Sequence, residues 1–133
     1  MKDSFGREIS YMRISVTDRC NLRCKYCMPE EGVENLGHDK ILSFEEIQRI
    51  VKAAAELGIS KYRITGGEPL ARKGIVSLVE NLSKIHGVEE LAMTTNGTML
   101  EEHAEALKNA GLQRVNISVD SMKYEKYEEI TRG

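Results

Sequence analysis

Four short stretches of alternating residues recur along this chain, separated by segments with helical spacing, and that pattern limits the possible folds more than any other feature. The stretches read YMRISVT from Tyr11 to Thr17, KYRIT from Lys61 to Thr65, ELAMTT from about Glu90, and RVNISVD reaching Asp120. After the first, SFEEIQRIVKAAAELG places Phe44, Ile47, Ile50, Val51, Ala54 and Leu57 on one helical face. Ser43 followed by Glu46 predicts a capping box, and Gly58 a C-terminal stop. A second helix is expected from about Gly74 to His86 and a third from about Glu101 to Ala110, ending at Gly111. KYEKYEEIT begins a fourth. Strands separated by helices of this length imply right-handed crossovers and a parallel sheet, so the expected class is α/β. The 133 residues suit one domain.

The alternation also sorts the strand side chains onto two faces. Ile14, Val16, Tyr62, Ile64, Leu91, Met93, Val115, Ile117 and Val119 share an apolar parity suited to the helices. The opposite parity holds Arg13, Ser15, Thr17, Arg63, Thr65, Ala92, Thr94, Asn116, Ser118 and Asp120. Parallel sheets usually bury both faces and read as nearly continuous Val, Ile and Leu. A polar face therefore suggests a wet lumen holding a polar, anionic ligand; the alternative is an open sheet whose polar face is solvated.

Composition narrows the setting. With 41% hydrophobic and 30% charged residues the chain reads as an ordinary globular protein. It has no long apolar run for a membrane helix, and MKDSFGREIS lacks a signal-peptide core. A net charge of −2 provides no basic field for nucleic acid. A cytoplasmic location is expected.

All three cysteines, Cys20, Cys24 and Cys27, lie in CNLRCKYC, directly after the first strand. An odd number in one loop is a poor disulfide framework, and in a reducing compartment such groups bind metal or do redox chemistry. The carboxyl end of a parallel strand is where sites of this fold class form. Structural zinc needs four ligands, and only a distant His38 could be the fourth. A cubane iron–sulfur cluster held by three thiolates keeps one iron open, and C-x3-C-x2-C differs from the ferredoxin spacing.

CNLRCKYC, with Tyr26 before its last cysteine, resembles the signature of the radical S-adenosylmethionine enzymes, and GGEP at 66 to 69 resembles their second motif. Within that superfamily FGR, RISVTDRCNLRCKYCMP, RITGGEPLAR, TTNG and GLQRVNISVDS resemble the GTP 3',8-cyclase family over essentially the whole chain. The resemblance implies a partial (βα) barrel of about four parallel strands. It implies a [4Fe–4S] cluster on Cys20, Cys24 and Cys27, whose open iron chelates S-adenosylmethionine and supplies the electron that releases a 5'-deoxyadenosyl radical. In the family that radical takes hydrogen from C3' of GTP, and the new radical attacks C8 of guanine, as the first step of molybdenum cofactor biosynthesis.

Site residues carried over by resemblance are Tyr26 beside the adenine through its backbone, Gly67 near the methionine amino group, and Ser118 at the ribose or methionine. Arg13, Arg63 and Thr94 match GTP contacts. A guanidinium suits phosphate oxygens, although internal salt bridges to Glu68 or Asp120 are the alternative for the two arginines. Arg19, Arg23 and Lys25 are expected to tune the loop or face solvent, and His38, His86 and His103 to be surface residues. Implied partners are GTP, a reductant such as flavodoxin or ferredoxin, and a downstream cyclic pyranopterin monophosphate synthase.

The family's C-terminal half, with further strands, a lysine for the triphosphate, a second three-cysteine cluster and a Gly-Gly tail, has no counterpart in these residues. Residues 1–133 are therefore expected to be the N-terminal part of the core barrel, able to initiate radical chemistry but not to cyclise GTP alone. A free strand edge next to Asp120 is expected to invite self-association. A peptide-modifying radical enzyme and a non-catalytic iron–sulfur domain are the competing readings.

Overall fold

The structure, a computed structural model, describes residues 2–34, 37 and 40–133. Among them, four strands alternate with four α-helices: β1 (Tyr11–Ser15), α1 (Phe44–Glu56), β2 (Lys61–Thr65), α2 (Ile75–Ser83), β3 (Glu90–Thr95), α3 (Leu100–Asn109), β4 (Arg114–Ile117) and α4 (Tyr124–Thr131). A single turn of 3-10 helix, Pro69–Ala71, follows β2. The strands form one sheet in the order β1-β2-β3-β4, every neighbouring pair parallel. The expected α/β class and strand count are both found.

The apolar parity forms the core. Ile14, Tyr62, Ile64, Leu91 and Met93 on the sheet pack with Ile47 and Val51 of α1, Leu78 and Leu82 of α2, and Leu107 of α3. Burying each such aliphatic side chain contributes about 1.5–3 kcal/mol. The Tyr62 ring is buried with them because its hydroxyl donates to the Ile59 carbonyl at 2.7 Å. The capping box at α1 is present: the Glu46 amide donates to Ser43 Oγ at 3.1 Å, and the Ser43 amide to Glu46 Oε2 at 2.7 Å.

Several expectations need correction. α1 buries Ile47, Val51 and Ala54 but leaves Ile50 and Leu57 exposed, so its apolar stripe is narrower than the six-residue pattern. α2 ends at Ser83 rather than His86. Beyond it Ile85 and Val88 donate their amides three residues back, and the chain turns at Gly87 with φ +92. β1 stops at Ser15 in the ladder, although the Val16 amide still reaches the Thr65 carbonyl at 2.9 Å. β4 stops at Ile117 instead of reaching Asp120.

The largest difference lies along β4. The apolar parity of Val115, Ile117 and Val119 suits a helix-covered face, yet all three are exposed. α4 does not cover them. Its last turn instead meets the cysteine loop, where the amides of Arg23 and Lys25 donate to the carbonyls of Thr131 and Ile130, each at 2.9 Å. The sheet is open, and its polar face carries no helix packed in the core cluster.

Candidate functional site

At the carboxyl ends of β1 and β2 the chain forms a backbone knot. The Gly67 amide donates to the Thr17 carbonyl and the Glu68 amide to the Arg19 carbonyl, both at 2.8 Å. These bonds extend the β1–β2 pairing past the strands and fix where the cysteine loop begins. The approach requires glycines. A Cβ at Gly66, whose φ is +152, would lie 2.6 Å from the Thr17 carbonyl oxygen, and one at Gly67 would collide with the Arg19 carbonyl.

Glu68 is the anchor of the knot. Its carboxylate is buried and accepts three bonds: from the Leu70 amide at 3.0 Å, the Thr95 hydroxyl at 2.7 Å and the Asn96 amide at 2.7 Å. It therefore ties the end of β2 to the end of β3. Asn96 passes the connection to the cysteine loop, its Nδ2 donating to Asn21 Oδ1 at 2.9 Å and lying 3.9 Å from Cys20 Sγ. Asn21 in turn donates to Thr98 Oγ1 at 2.8 Å.

The loop itself is fastened from several sides. Arg23 donates through Nη1 to the carbonyls of Cys20 (2.6 Å) and Leu22 (3.0 Å). Lys25 pairs with Glu129 of α4 at 3.0 Å. The amides of Cys27 and Met28 both donate to the Cys24 carbonyl, closing a turn between the second and third cysteines. Cys20 and Cys24 are half-buried and Cys27 is exposed. Burial pushes the Cys24 thiol above its usual pKa, and the charges of Asp120, Cys20 and Cys27 push it the same way. The Tyr26 phenol donates to Asp120 Oδ1 at 2.9 Å; that bond is the main cause holding the phenol well above its ordinary pKa. A cleft of about 240 Å³ lined by Asp18, Arg19, Cys20, Arg23, Met28 and Val33 opens beside the first cysteine. Another hollow, about 550 Å³, is lined by Val16, Thr17, Phe44, Arg72 and Lys73 and by none of the cysteines.

Among the described residues no three His, Cys, Asp or Glu side chains converge as they would on one ion. A cubane cluster does not need them to, since each thiolate takes a different iron atom. The donor set fits such a cluster: three thiols on one loop, within electrostatic reach of one another, with Cys20 Sγ accepting the Leu22 amide at 3.5 Å. His38, the distant fourth ligand considered for zinc, lies outside the described residues.

Below the rim, the polar parity forms rows across the sheet. Arg13, Arg63, Ala92 and Arg114 are in register, and Thr94 pairs with Asn116 one row nearer the rim. Four residues of strand at about 3.3 Å each put Arg63 roughly 13 Å below Gly67. Among the described residues neither Arg13 nor Arg63 joins an ion pair. The internal bridges considered for them are not made: Glu68 is occupied by neutral donors, and Asp120 accepts from Tyr26. Arg63 lies over the Tyr11 ring at 5.8 Å, and its buried Nε has no hydrogen-bond partner.

The structure thus brings Cys20, Cys24, Cys27, Tyr26 and Gly67 to one rim, places Ser118 just past the carboxyl end of β4, and leaves Arg13, Arg63 and Thr94 along the sheet beneath it. Gly67 is accounted for by its fit against Arg19. His86 is exposed, while His103 is half-buried with Nδ1 2.9 Å from the Met99 carbonyl. Sequence reasoning misses Asn96 altogether, and it names Glu68 and Asp120 only as partners for the arginines, whereas they accept from Leu70, Thr95 and Asn96 and from Tyr26. The signal for Glu68 was its place directly before Pro69, a capping position with proline at N1. Asn96 in the TNG turn could have been read as an Asx turn, and it accepts from the Thr98 amide at 3.0 Å.

Comparison with known proteins agrees with this arrangement. The chain is 58% identical to a GTP 3',8-cyclase of Alkaliphilus metalliredigens over 133 residues, covering 100% of this chain and 42% of that protein. It is 60% identical to one of Peptoclostridium acidaminophilum over 131 residues, covering 98% and 40%. The chain thus spans about two fifths of the length of these relatives. Among solved structures, Streptococcus suis SuiB bound to its precursor peptide SuiA superposes with a TM-score of 0.72 at 17% identity, covering 93% of this chain and 27% of that one. HydG, a maturase of the [FeFe]-hydrogenase, gives 0.70 at 19% identity, covering 92% and 28%. These two likenesses concern the fold. Residues 14–133 match the Radical SAM superfamily as a whole. With that match running from the end of β1 through the cysteine loop and the other three strands, the chain belongs to the radical SAM superfamily.

Proposed function

We propose that these residues form the radical-initiating part of a GTP 3',8-cyclase, with Cys20, Cys24 and Cys27 holding a [4Fe–4S] cluster. Family membership implies the cluster and S-adenosylmethionine, and the extent of identity to proteins named GTP 3',8-cyclase favours GTP as substrate. When bound and reduced, the cluster supplies the single electron that cleaves S-adenosylmethionine to methionine and the 5'-deoxyadenosyl radical.

The chain's own residues do the rest. Asn96 Nδ2 and the Leu22 amide direct N–H groups at Cys20 Sγ and so orient it. The Gly67–Arg19 contact fixes the height of the loop above the sheet. The Tyr26 backbone and Ser118 are assigned to the adenosine and methionine portions. Arg13 and Arg63 are assigned to the triphosphate, Thr94 to the nucleotide between phosphate and rim. One observation carries the reading: a three-cysteine loop is fastened through Gly67, Glu68 and Asn96 to the same strands that present two arginines without ion partners among the described residues.

The test is electron paramagnetic resonance of the anaerobically reconstituted, reduced chain with and without S-adenosylmethionine, combined with iron and zinc analysis. A cubane signal that changes on adding the cofactor, with release of 5'-deoxyadenosine, is expected. A zinc-loaded protein, or an iron signal indifferent to the cofactor, would overturn the reading.

A further inference from the structure

The pairing of β1 with β2 slips by one residue where the cysteine loop begins. The Val16 amide donates to the Thr65 carbonyl at 2.9 Å. In a regular parallel ladder the Val16 carbonyl would then accept from Gly67, two residues beyond Thr65. The Gly67 amide goes instead to the Thr17 carbonyl at 2.8 Å. The slip takes the ladder partner away from the carbonyl of a fully buried residue, and a buried backbone acceptor needs a replacement. Arg72 supplies it, donating through Nη1 to the Val16 carbonyl at 2.5 Å.

The same guanidinium reaches the other end of the loop. Its Nη2 donates to the Leu42 carbonyl at 2.8 Å, one residue before the Ser43 cap of α1. Val16 and Leu42 flank residues 17–41, which carry all three cysteines. We propose that Arg72 is a positioning residue that closes the neck of the cysteine loop and so sets where the three thiols stand above the sheet. Its consequence for a cluster rests on the function proposed above; the clamp itself does not.

The surroundings of Arg72 suit that role. Among the described residues it joins no ion pair, so two carbonyls and a ring hold the cation. The ring is Phe44, the first residue of α1, with its centre 4.2 Å from the guanidinium carbon. Phe44 is in turn fixed by the start of α2, since a Cβ on Gly74 would come within 3.2 Å of its Cε2. The guanidinium therefore joins the end of β1, the start of α1 and the approach to α2. A rigid planar fork can serve two carbonyls in a set geometry, which a lysine ammonium lacks. Arg72 is not a member of the hydrophobic core cluster, so its removal should free the loop and leave the sheet and helices in place.

Hydrogen–deuterium exchange of the anaerobically reconstituted chain tests the clamp, comparing wild type with Arg72→Met and Arg72→Lys. In Arg72→Met the amides of residues 16–33 should exchange about tenfold faster or more, as expected for loss of a charge-assisted hydrogen bond. Peptides from α2 and β3 should keep their rates. Arg72→Lys, a cation without the fork, should show a smaller acceleration. At equal iron content, the electron paramagnetic resonance signal of reduced Arg72→Met should be broadened and should respond to S-adenosylmethionine only at higher concentration. Unchanged exchange in the loop, equal acceleration in α2 and β3, or a signal and cofactor response identical to wild type overturns the proposal. A wild type that binds zinc in place of a cubane cluster overturns the function proposed above, and the exchange comparison then decides the clamp by itself.

Discussion

Glu68 and Arg63 sit five residues apart at the same end of the molecule, one at the rim and one on the strand below, yet their charges meet opposite fates. Glu68 is buried and accepts three hydrogen bonds from Leu70, Thr95 and Asn96, all of them neutral donors. Arg63 has an aromatic ring beneath it, no ion partner among the described residues, and a buried Nε without a hydrogen bond. A charge consumed by the protein's own donors is part of the scaffold. A charge left open on a polar sheet face is available to a ligand. The difference separates what holds the site from what the site can hold.

Mutation should expose that division. Glu68→Ala leaves two amides and a hydroxyl buried without their acceptor, and each orphaned group costs about 1–3 kcal/mol. A loss of about 3 kcal/mol in unfolding free energy is expected from urea titration, with the Asn96 connection to the cysteine loop released. If stability is unchanged, Glu68 is not the anchor. Gly67→Ala comes next. Its methyl group meets the backbone carbonyl of Arg19, which cannot rotate away as a side chain would. About 2 kcal/mol is expected, within the usual range for overpacking.

Arg63→Met should behave in the opposite way. Removing an unpartnered Nε restores no lost bond and breaks none, so stability should stay within about 0.5 kcal/mol. On the proposed role of Arg63 at a GTP phosphate, affinity for GTP measured by calorimetry should fall about tenfold. A variant that loses stability but keeps its affinity would place Arg63 with Glu68 in the scaffold.

The sequence made the strand order of events legible because period-2 alternation and helix caps are local signals. The capping box at Ser43 and Glu46 and the strand Lys61–Thr65 are found as read. Cys20, Cys24, Cys27 and Gly67 could be singled out because their spacing is itself the signal. What stayed hidden is non-local. Nothing in GGEP says that Glu68 faces Thr95, 27 residues away, or that Asn96 meets a cysteine 76 residues before it. The exposure of Val115 and Ile117 was illegible for a related reason: apolar parity states which side chains share a face, not whether a helix arrives to cover it. Here α4 lies against the cysteine loop instead.

The smallest expected effect concerns Tyr26, where the comparison can be read in a single titration. Its phenol is exposed, so the bond to Asp120 adds little to stability, at most a few tenths of a kcal/mol. It does move a pKa. The protonated phenol donates to a carboxylate, so the folded form keeps its proton beyond the ordinary phenol range near pH 10. Because the folded-state value is raised, the small stabilisation is complete below about pH 10 and fades as pH rises through the folded value. Burial also pushes up Tyr62 and Tyr127, so ultraviolet difference titration should show three tyrosines ionising late in the wild type, and Asp120→Asn should return Tyr26 towards the ordinary range. If that late ionisation persists in Asp120→Asn, the phenol owes its shift to burial, and Asp120 is as free for other contacts as Arg63.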